Sequence, residues 1–510
     1  MKLSNAAAMR QADHIAIYDH GIPSDELMMT AARHVADAAL DILGFAHSRA
    51  VIFCGSGNNG GDGVAAAVHM IPEGISCRVL LVGSRDRMTD DTREMERRLE
   101  ALGGKLEDFD PEDETVAADM AEAGVIIDAM FGIGLNSDLR GRALEAVKRI
   151  NACGVPVVSA DIASGVEADS GRILGEAVQA TVTVTFSMAK PGHVLEPGCV
   201  CCGELQVRDI GIPQELLDAA GETGIEAVTE ADVSLPKRKR ISHKGDYGKL
   251  LIVGGSVGYT GAPALCASAA CRSGAGLVWL GVPEPIYAIE AVKANEAMPF
   301  PLPAKEGGLA LAAKEEILRH LQPCDVLVIG PGLGRAEETL ALVRDVLTEA
   351  VQPVVIDADG LTALAGHLDL LQTAKAPVIL TPHEGEFLRL GGTLTGNRAA
   401  DAREFAMQHN CILVLKGHRT VSAFPDGRVF VNTTGNPGMA TGGSGDVLAG
   451  ILGALLGQLP LEQAVLTAVW LHGRAGDLAA ECYGEYSMLP TDCIALLADA
   501  TYQILAHESK

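Results

Sequence analysis

The 510-residue sequence has no uninterrupted apolar stretch of the ~18 residues that a membrane-spanning helix requires. Its opening residues, Met1-Lys2-Leu3-Ser4-Asn5, lack the apolar core of a secretory signal. Basic residues are scarce: 40 Lys and Arg stand against 66 Asp and Glu, a formal net charge of −26. That balance argues against nucleic acid or an anionic membrane as partner, because both repel an acidic body. Aromatic residues make up only 4%. The 12 cysteines are scattered singly except for Cys199, Cys201 and Cys202, and no second pair completes a metal-binding spacing. They are expected to be buried or strand-surface thiols in a reduced, cytoplasmic chain. No Walker A loop occurs, since no glycine-rich loop ends in Gly-Lys-Ser or Gly-Lys-Thr.

What is present is glycine and aliphatic bulk. There are 58 glycines, and 48% of residues are hydrophobic, the profile of an α/β enzyme. Two glycine-rich loops stand out. The first is Gly55-Ser56-Gly57-Asn58-Asn59-Gly60-Gly61-Asp62-Gly63, after the apolar run 51–54 and before an apolar stretch at 64–70. The second, Gly438-Met439-Ala440-Thr441-Gly442-Gly443-Ser444-Gly445-Asp446, precedes an apolar helix from Val447. Glycine permits positive φ and a close approach of backbone N–H groups to an anion, and a helix N-terminus adds donors. Each loop ends in an aspartate that the glycines should leave accessible. The plainer alternative is a tight strand-to-helix turn with Asp62 or Asp446 as N-cap.

The length predicts two or three domains. After a helical stretch at about 5–43, the first half alternates strands (51–54, 77–82, 125–129, 155–160, 178–186) with helices (89–102, 142–152). The second half restarts the alternation with strands at 249–253, 277–282, 326–329, 353–356, 378–380 and 412–415, then a hairpin from 420–424 and 429–432 around Pro425-Asp426-Gly427. Such alternation predicts βαβ units and mostly parallel sheets. The expected division is 1–218, a polar linker at 219–242 containing Pro236-Lys237-Arg238-Lys239-Arg240, and 243–510. The basic run reads as a solvated linker face.

In a doubly wound sheet, loops at strand C-termini gather at one edge, where ligands bind. Three loops qualify in the first half: Asn58 to Asp62, Asp128 to Asn136, and Asp161 to Val166. They carry carboxylates, amide oxygens and hydroxyls, hard ligands for an alkali or alkaline-earth cation. Asp161, at a strand end, is placed to act as a general base; turn capping by Asp128 and Asp161 is the alternative. In the second half, Asp446 behind its glycine loop can accept a hydroxyl proton while loop N–H groups stabilise a transferring phosphoryl group. Lys416 and His383 each follow a strand, and Lys416 can meet nucleotide phosphates.

The stretches GSGNNGGDG, DAMFGIGLNSDLRG, DIASGVEADSG and KPGH…DIGIP make residues 45–212 resemble the NAD(P)H-hydrate epimerase domain. HKGDYGKLLIVGGS, GAGLVW, GPGLG, DADGL, TPHEGEF, LKGHRT and NTTGNPGMATGGSGDVLAG make 243–455 resemble the ribokinase-related NAD(P)H-hydrate dehydratase domain. In this order they resemble the bifunctional NAD(P)H-hydrate repair enzyme family. The resemblance implies an N-terminal Rossmann-like three-layer αβα domain followed by a ribokinase-like α/β domain. It implies epimerisation of hydrated NADH and NADPH at C6, then dehydration of the S epimer using ADP with Mg2+, releasing AMP and phosphate. Asn58, Asn59, Gly60, Gly61 and Asp62, with Gly132, Ile133, Gly134, Leu135 and Asn136, would hold the hydrate. Asn59, Asp128 and Ser164 would bind K+, and Asp161 would lie beside C6. In the second domain Ala264, Gly334, His383 and Asp446 would form the hydrate site, and Lys416, Gly417, His418, Arg419, Thr420 and Gly445 the nucleotide site. Small molecules and a homo-oligomer are the expected partners. One departure stands out: the family's Met-Glu-x-Ala-Gly segment reads Met28-Met29-Thr30-Ala31-Ala32, and Ala163 occupies a position where proline is usual. The competing readings are a ribokinase-like small-molecule kinase and an active dehydratase fused to a non-catalytic nucleotide-binding domain.

Overall fold

A computed structural model describes residues 1–44 and 48–507. The start of the first resembling stretch, at 45, and the last three residues of the expected second domain lie outside the described residues. The chain divides into two compact units, Lys2–Ile225 and Glu226–Lys510, the latter taking Met1.

The first unit is built on β1 (Arg49–Cys54), β2 (Ser76–Leu81), β3 (Leu106–Asp108), β4 (Val125–Ala129), β5 (Val157–Ala160), β6 (Val182–Phe186) and β7 (Glu204–Arg208). Their order is β3-β2-β1-β4-β5-β6-β7 and every pairing is parallel. The central strands are buried on both faces: Ala50 to Cys54 and Val125 to Ala129, apolar except for Asp128, are buried, as in a sheet covered by helices on both sides. Each fully buried Val, Leu or Ile contributes roughly 1.5–3 kcal/mol. The helical stretch at 5–43 is two helices, α1 (Ala6–Tyr18) and α2 (Ser24–Leu43). Gly21, at φ 70, and Pro23 at the N-cap of α2 interrupt it. Asn5 caps α1 by accepting from Ala8 N at 2.7 Å. The buried face of α2 runs through Leu27, Met28, Ala31, Ala32 and Val35, the 3-and-4 spacing of an amphipathic helix.

The second unit carries a ten-stranded sheet. Its strands are β8 (Ile225–Val228), β9 (Lys249–Val253), β10 (Leu277–Pro283), β11 (Met298–Leu302), β14 (Val326–Ile329), β15 (Val354–Ile356), β16 (Val378–Leu380), β17 (Ile412–Leu415), β18 (Val421–Ala423) and β19 (Val429–Asn432); β12 (Ala304–Lys305) and β13 (Gly308–Leu309) form a separate hairpin. The order β11-β10-β9-β14-β15-β16-β17-β18-β19-β8 is parallel from β11 to β17 and antiparallel through the β18–β19 hairpin. The expected linker at 219–242 thus contains a strand, β8. Helices Ser444–Leu456 and Leu461–Tyr483 pack a core of Val447, Leu448, Ile451, Leu452, Val465 and Trp470.

Candidate active sites

In the first unit β1, β4 and β5 are neighbours, and the strand order reverses between β1 and β4. That reversal opens a crevice at the strand C-termini, and the three sequence-selected loops all end there. Helix α3 (Asn58–Met70) begins at Asn58, with Gly57 as N-cap. The glycines therefore lie within its first turns, none at positive φ. They are there for close packing: a Cβ at Gly60 would sit 1.9 Å from the Gly55 carbonyl oxygen, and one at Gly63 would sit 2.6 Å from Ala129 Cβ. Asp62 is not the accessible carboxylate expected; it is 8% exposed. It lines a cleft with Asn58, Asp13, Met28, Ile133, Asp161 and Lys190.

Asp161 is the centre of this cleft. It is buried and sits at φ 65, a left-handed conformation for a non-glycine residue, which costs on the order of 1–3 kcal/mol. Its surroundings hold it there. Its N–H donates to Val184 O at 2.7 Å, and its carbonyl accepts from His193 Nε2 at 2.9 Å. Because His193 Nδ1 accepts from Lys190 N at 3.0 Å, the ring proton lies on Nε2. Burial, reinforced by Lys190, pushes the His193 pKa down to about 4, so the ring is neutral at physiological pH. Lys190, 1% exposed, donates from Nζ to Asp161 Oδ1 at 2.6 Å and to Thr185 Oγ1 at 2.8 Å. Asp161 Oδ2 accepts from Ile133 N at 3.2 Å. Burial raises the Asp161 pKa, but the Lys190 ammonium outweighs it and the carboxyl is held below its ordinary value. The opposite holds for its neighbours. Burial lifts Asp13 to about 6 against the pull of Lys190. It lifts Asp62 well above the usual carboxylate range, with Asp161 and Asp13 adding to it.

The expected cation ligands come together in part. Asp128 is fully buried and accepts from Ser164 Oγ (2.6 Å), Ser164 N (2.8 Å), Ser159 Oγ (2.9 Å) and Met130 N (3.3 Å). Burial raises its pKa against these hydrogen bonds. Asn59 carries a buried Nδ2 and Oδ1 without a hydrogen-bond partner, facing Gly132. A Cβ at Gly132 would lie 2.9 Å from Asp161 Oδ2 and 3.1 Å from Asn59 Oδ1. The unpartnered Asn59 amide oxygen and Asp161 Oδ2, both close to Gly132, are hard oxygen donors. Among the described residues no cluster of three or more His, Cys, Asp and Glu is placed to hold a metal. Gly134 and Asn136 are exposed, so of that loop Ile133 reaches the cleft. The departure at 28–32 splits: Met28 lines the cleft, Met29 packs partly buried against the core, and Ala32 is fully buried.

In the second unit the loops after β9, β14, β15, β16 and β17 share one sheet edge. Helix Gly261–Arg272, which carries Ala264, approaches two of the expected parts. A Cβ on Gly332, two residues before Gly334, would lie 3.2 Å from Ala262 Cβ, and one on Gly443 would lie 2.7 Å from Leu265 Cδ1. Gly334 N donates to Asp359 Oδ2 at 3.0 Å. Lys416 N donates to Pro382 O at 2.8 Å, seating the nucleotide-loop candidate beside His383. His383 caps helix Glu384–Arg389, its Nδ1 accepting from Gly385 N at 3.0 Å, with its ring left exposed. Lys416 Nζ donates to the buried Asp357 Oδ1 at 2.7 Å. A Cβ at Gly445 would meet Lys416 Nζ at 3.1 Å and Asp357 Oδ2 at 3.8 Å. Asp446 stands in the first turn of helix Ser444–Leu456. Burial and the Asp357 charge lift its pKa to about 7, with Lys416 pulling the other way.

Sequence reasoning overlooked Lys190, Asp13, Asp357 and Glu386, the last with its Oε2 4.0 Å from Lys416 Nζ. Lys190, Asp357 and Glu386 lie in motif stretches already noted, and Asp13 carried no local signal.

The NAD(P)H-hydrate dehydratase family matches residues 250–498, and the family described as YjeF-related protein N-terminus matches 24–192. Over 509 residues the chain is 42% identical to a bifunctional NAD(P)H-hydrate repair enzyme of Moorella thermoacetica, covering 98% of this chain and 96% of that one. A protein of the same name from Thermofilum pendens is 40% identical over 492 residues, covering 95% and 93%. Among solved structures, the ADP/ATP-dependent NAD(P)H-hydrate dehydratase of Bacillus subtilis, co-crystallised with ATP and Mg2+, is 33% identical. It covers 55% of this chain and 99% of that one, with a TM-score of 0.48.

Proposed function

The chain belongs to the family of bifunctional NAD(P)H-hydrate repair enzymes, and from that membership we propose how its two units divide the repair. The first unit interconverts the R and S hydrates of NADH and NADPH at C6. The second dehydrates the S hydrate with a phosphoryl group from ADP, releasing AMP and phosphate. One observation carries this reading: each unit has its own lysine paired with a buried carboxylate at a sheet edge, Lys190–Asp161 in one and Lys416–Asp357 in the other.

Epimer exchange at C6 needs the hydroxyl to leave as water and water to return on the other face, with the ring nitrogen lone pair sharing the charge. A proton must be given to the departing oxygen and taken from the returning one. A depressed pKa makes Asp161 alone a weak base. Lys190 donates to it across 2.6 Å, so the ammonium can give a proton to the departing oxygen and the carboxylate can take one from the returning water. The cleft residues Asn58, Asp62 and Ile133 bind and orient the hydrate. Asn59, Asp128 and Ser164 would hold K+, which supplies a fixed positive charge beside the cleft.

In the second unit a hydroxyl made into a phosphate ester becomes a good leaving group. Asp446 takes the hydroxyl proton as the phosphoryl group transfers; phosphate then leaves C6 and a proton leaves the adjacent ring carbon, which restores the double bond. Lys416 and the loop through Thr420 bind the ADP phosphates, while Ala264, Gly334 and His383 bind the hydrate. Mg2+ bound with ADP would neutralise phosphate charge. Its oxygen donors would come chiefly from the phosphates and water, since among the described residues no three carboxylates are gathered to hold an ion.

The test incubates the full chain with an R/S mixture of NADPH hydrate, ADP and Mg2+ and follows NADPH absorbance. Recovery of the whole mixture is expected, and recovery of one epimer only would leave the first unit without its activity. A kinase of other small molecules would leave both epimers untouched. Replacing K+ by a bulky organic cation should slow exchange at least about tenfold while dehydration of the pure S hydrate continues. Unchanged exchange in K+-free buffer would remove the cation site.

A further inference from the structure

Arg398 lies outside the motifs described above. It opens helix Arg398–His409, behind the N-cap Asn397, and is 7% exposed. Its guanidinium spans three carbonyls of the segment that follows β17: Nη2 donates to Leu415 O (3.4 Å) and Lys416 O (3.2 Å), and Nη1 to His418 O (3.4 Å). Glu384 Oε1 lies 3.6 Å from Nη1. The guanidinium rests against the backbone at Gly417, where a Cβ would come within 2.5 Å of Nη2 and 2.7 Å of Nη1. A side chain at 417 would displace the guanidinium from this place.

Three carbonyls within four residues therefore turn toward one cation. In a planar trans peptide the N–H points opposite to the carbonyl. The Leu415 carbonyl belongs with the Lys416 N–H, which donates away from Arg398 to Pro382 O at 2.8 Å. By the same geometry the N–H groups of Gly417 and Arg419 point away from Arg398. Neighbouring N–H groups turned to one side can bind an anion. Arg419 sits at φ 58, and its side chain is tied to the Thr433 carbonyl.

We infer that Arg398 is a positioning residue for the nucleotide: it turns the Lys416 and His418 carbonyls inward, so that the Gly417 and Arg419 N–H groups face the phosphates. This rests on the reading that residues 416–420 bind ADP. Arg398 itself touches neither ADP nor the hydrate. Its loss should appear in nucleotide affinity and not in the handling of the hydrate.

The experiment compares full-length wild type, Arg398→Ala and Arg398→Lys. ADP binding is titrated by calorimetry, KM and kcat are measured for ADP and for S hydrate, and epimer exchange is followed in the same samples. In Arg398→Ala the Kd and KM for ADP should rise about tenfold or more, with the KM for hydrate within about twofold. Arg398→Lys keeps the charge but not the fork, and should shift ADP affinity about threefold. Exchange in the first unit should not change. ADP affinity within about twofold of wild type in both variants overturns the inference, as does a rise in hydrate KM equal to that for ADP. If Arg398→Ala does not fold, Arg398→Lys decides alone by the same criteria. Wild type that binds no ADP would instead refute the nucleotide reading of residues 416–420.

Discussion

Asp446→Asn abolishes NADPH recovery from the S hydrate and leaves epimer exchange at the wild-type rate. The expected loss is about 10²–10⁴ in rate, the usual cost of removing a general base. The asparagine keeps the size of the side chain and its place in the first helical turn, so ADP should still bind. The wild-type carboxyl is well suited to the task. Burial and the neighbouring Asp357 bring its pKa to about 7, near the pH at which a base is most effective. The sign of the pH dependence follows. The active form is the carboxylate, so kcat/KM for dehydration should fall as pH drops below about 7, approaching tenfold per unit. The small residual activity of Asp446→Asn should lack that limb. Recovery by the mutant within a few-fold of wild type would mean that Asp446 is only an acidic residue in the first turn of its helix. Joint loss of both activities in a folded protein would break the assignment of one reaction to each unit.

Asp161→Asn stops epimer exchange, and so does Lys190→Met. Dehydration then halts with the R hydrate left over. Each single change also destabilises the first unit, because it strands a charge or a polar group at a site where the two side chains are 1% and 10% exposed. Breaking a buried pair in this way typically costs about 3–5 kcal/mol. Combining Asp161→Asn with Lys190→Met separates chemistry from stability. The pair no longer leaves a lone charge behind, so the calorimetric loss should partly recover while exchange stays absent. Exchange that returns with stability would make the pair a structural element. Exchange at the wild-type rate in Asp161→Asn would reduce Asp161 to a turn residue.

Much of the architecture is legible in the chain. The runs at 125–129, 249–253, 326–329, 378–380 and 412–415, apolar but for Asp128 and Lys249, are strands with those bounds, because a strand buried on both faces reads as a near-continuous apolar run. The strands that escaped notice are short or at an edge. β7 is largely exposed and carries Glu204, Gln206 and Arg208, so it has no apolar run to read. β11 contains Pro299 and Pro301, residues that argue against a strand anywhere except an edge, and it is the terminal strand of its sheet. β8 lies in the polar stretch between the halves, where periodicity is lost.

At the sites, sequence order alone marked the loops and their two aspartates, Asp161 and Asp446. Strand-to-helix turns rich in glycine are local features, set by backbone sterics within a few residues. What each carboxyl does was decided elsewhere in the fold. Asp161 meets Lys190 across 29 residues, and Lys416 meets Asp357 across 59. Asp13 reaches the first cleft from a helix that precedes the sheet. One aspartate is held below its ordinary pKa and the other is lifted to about 7. The reason is that ionisation depends on burial and on charges within a few ångströms. Those distances exist only once strands far apart in the chain have been laid side by side.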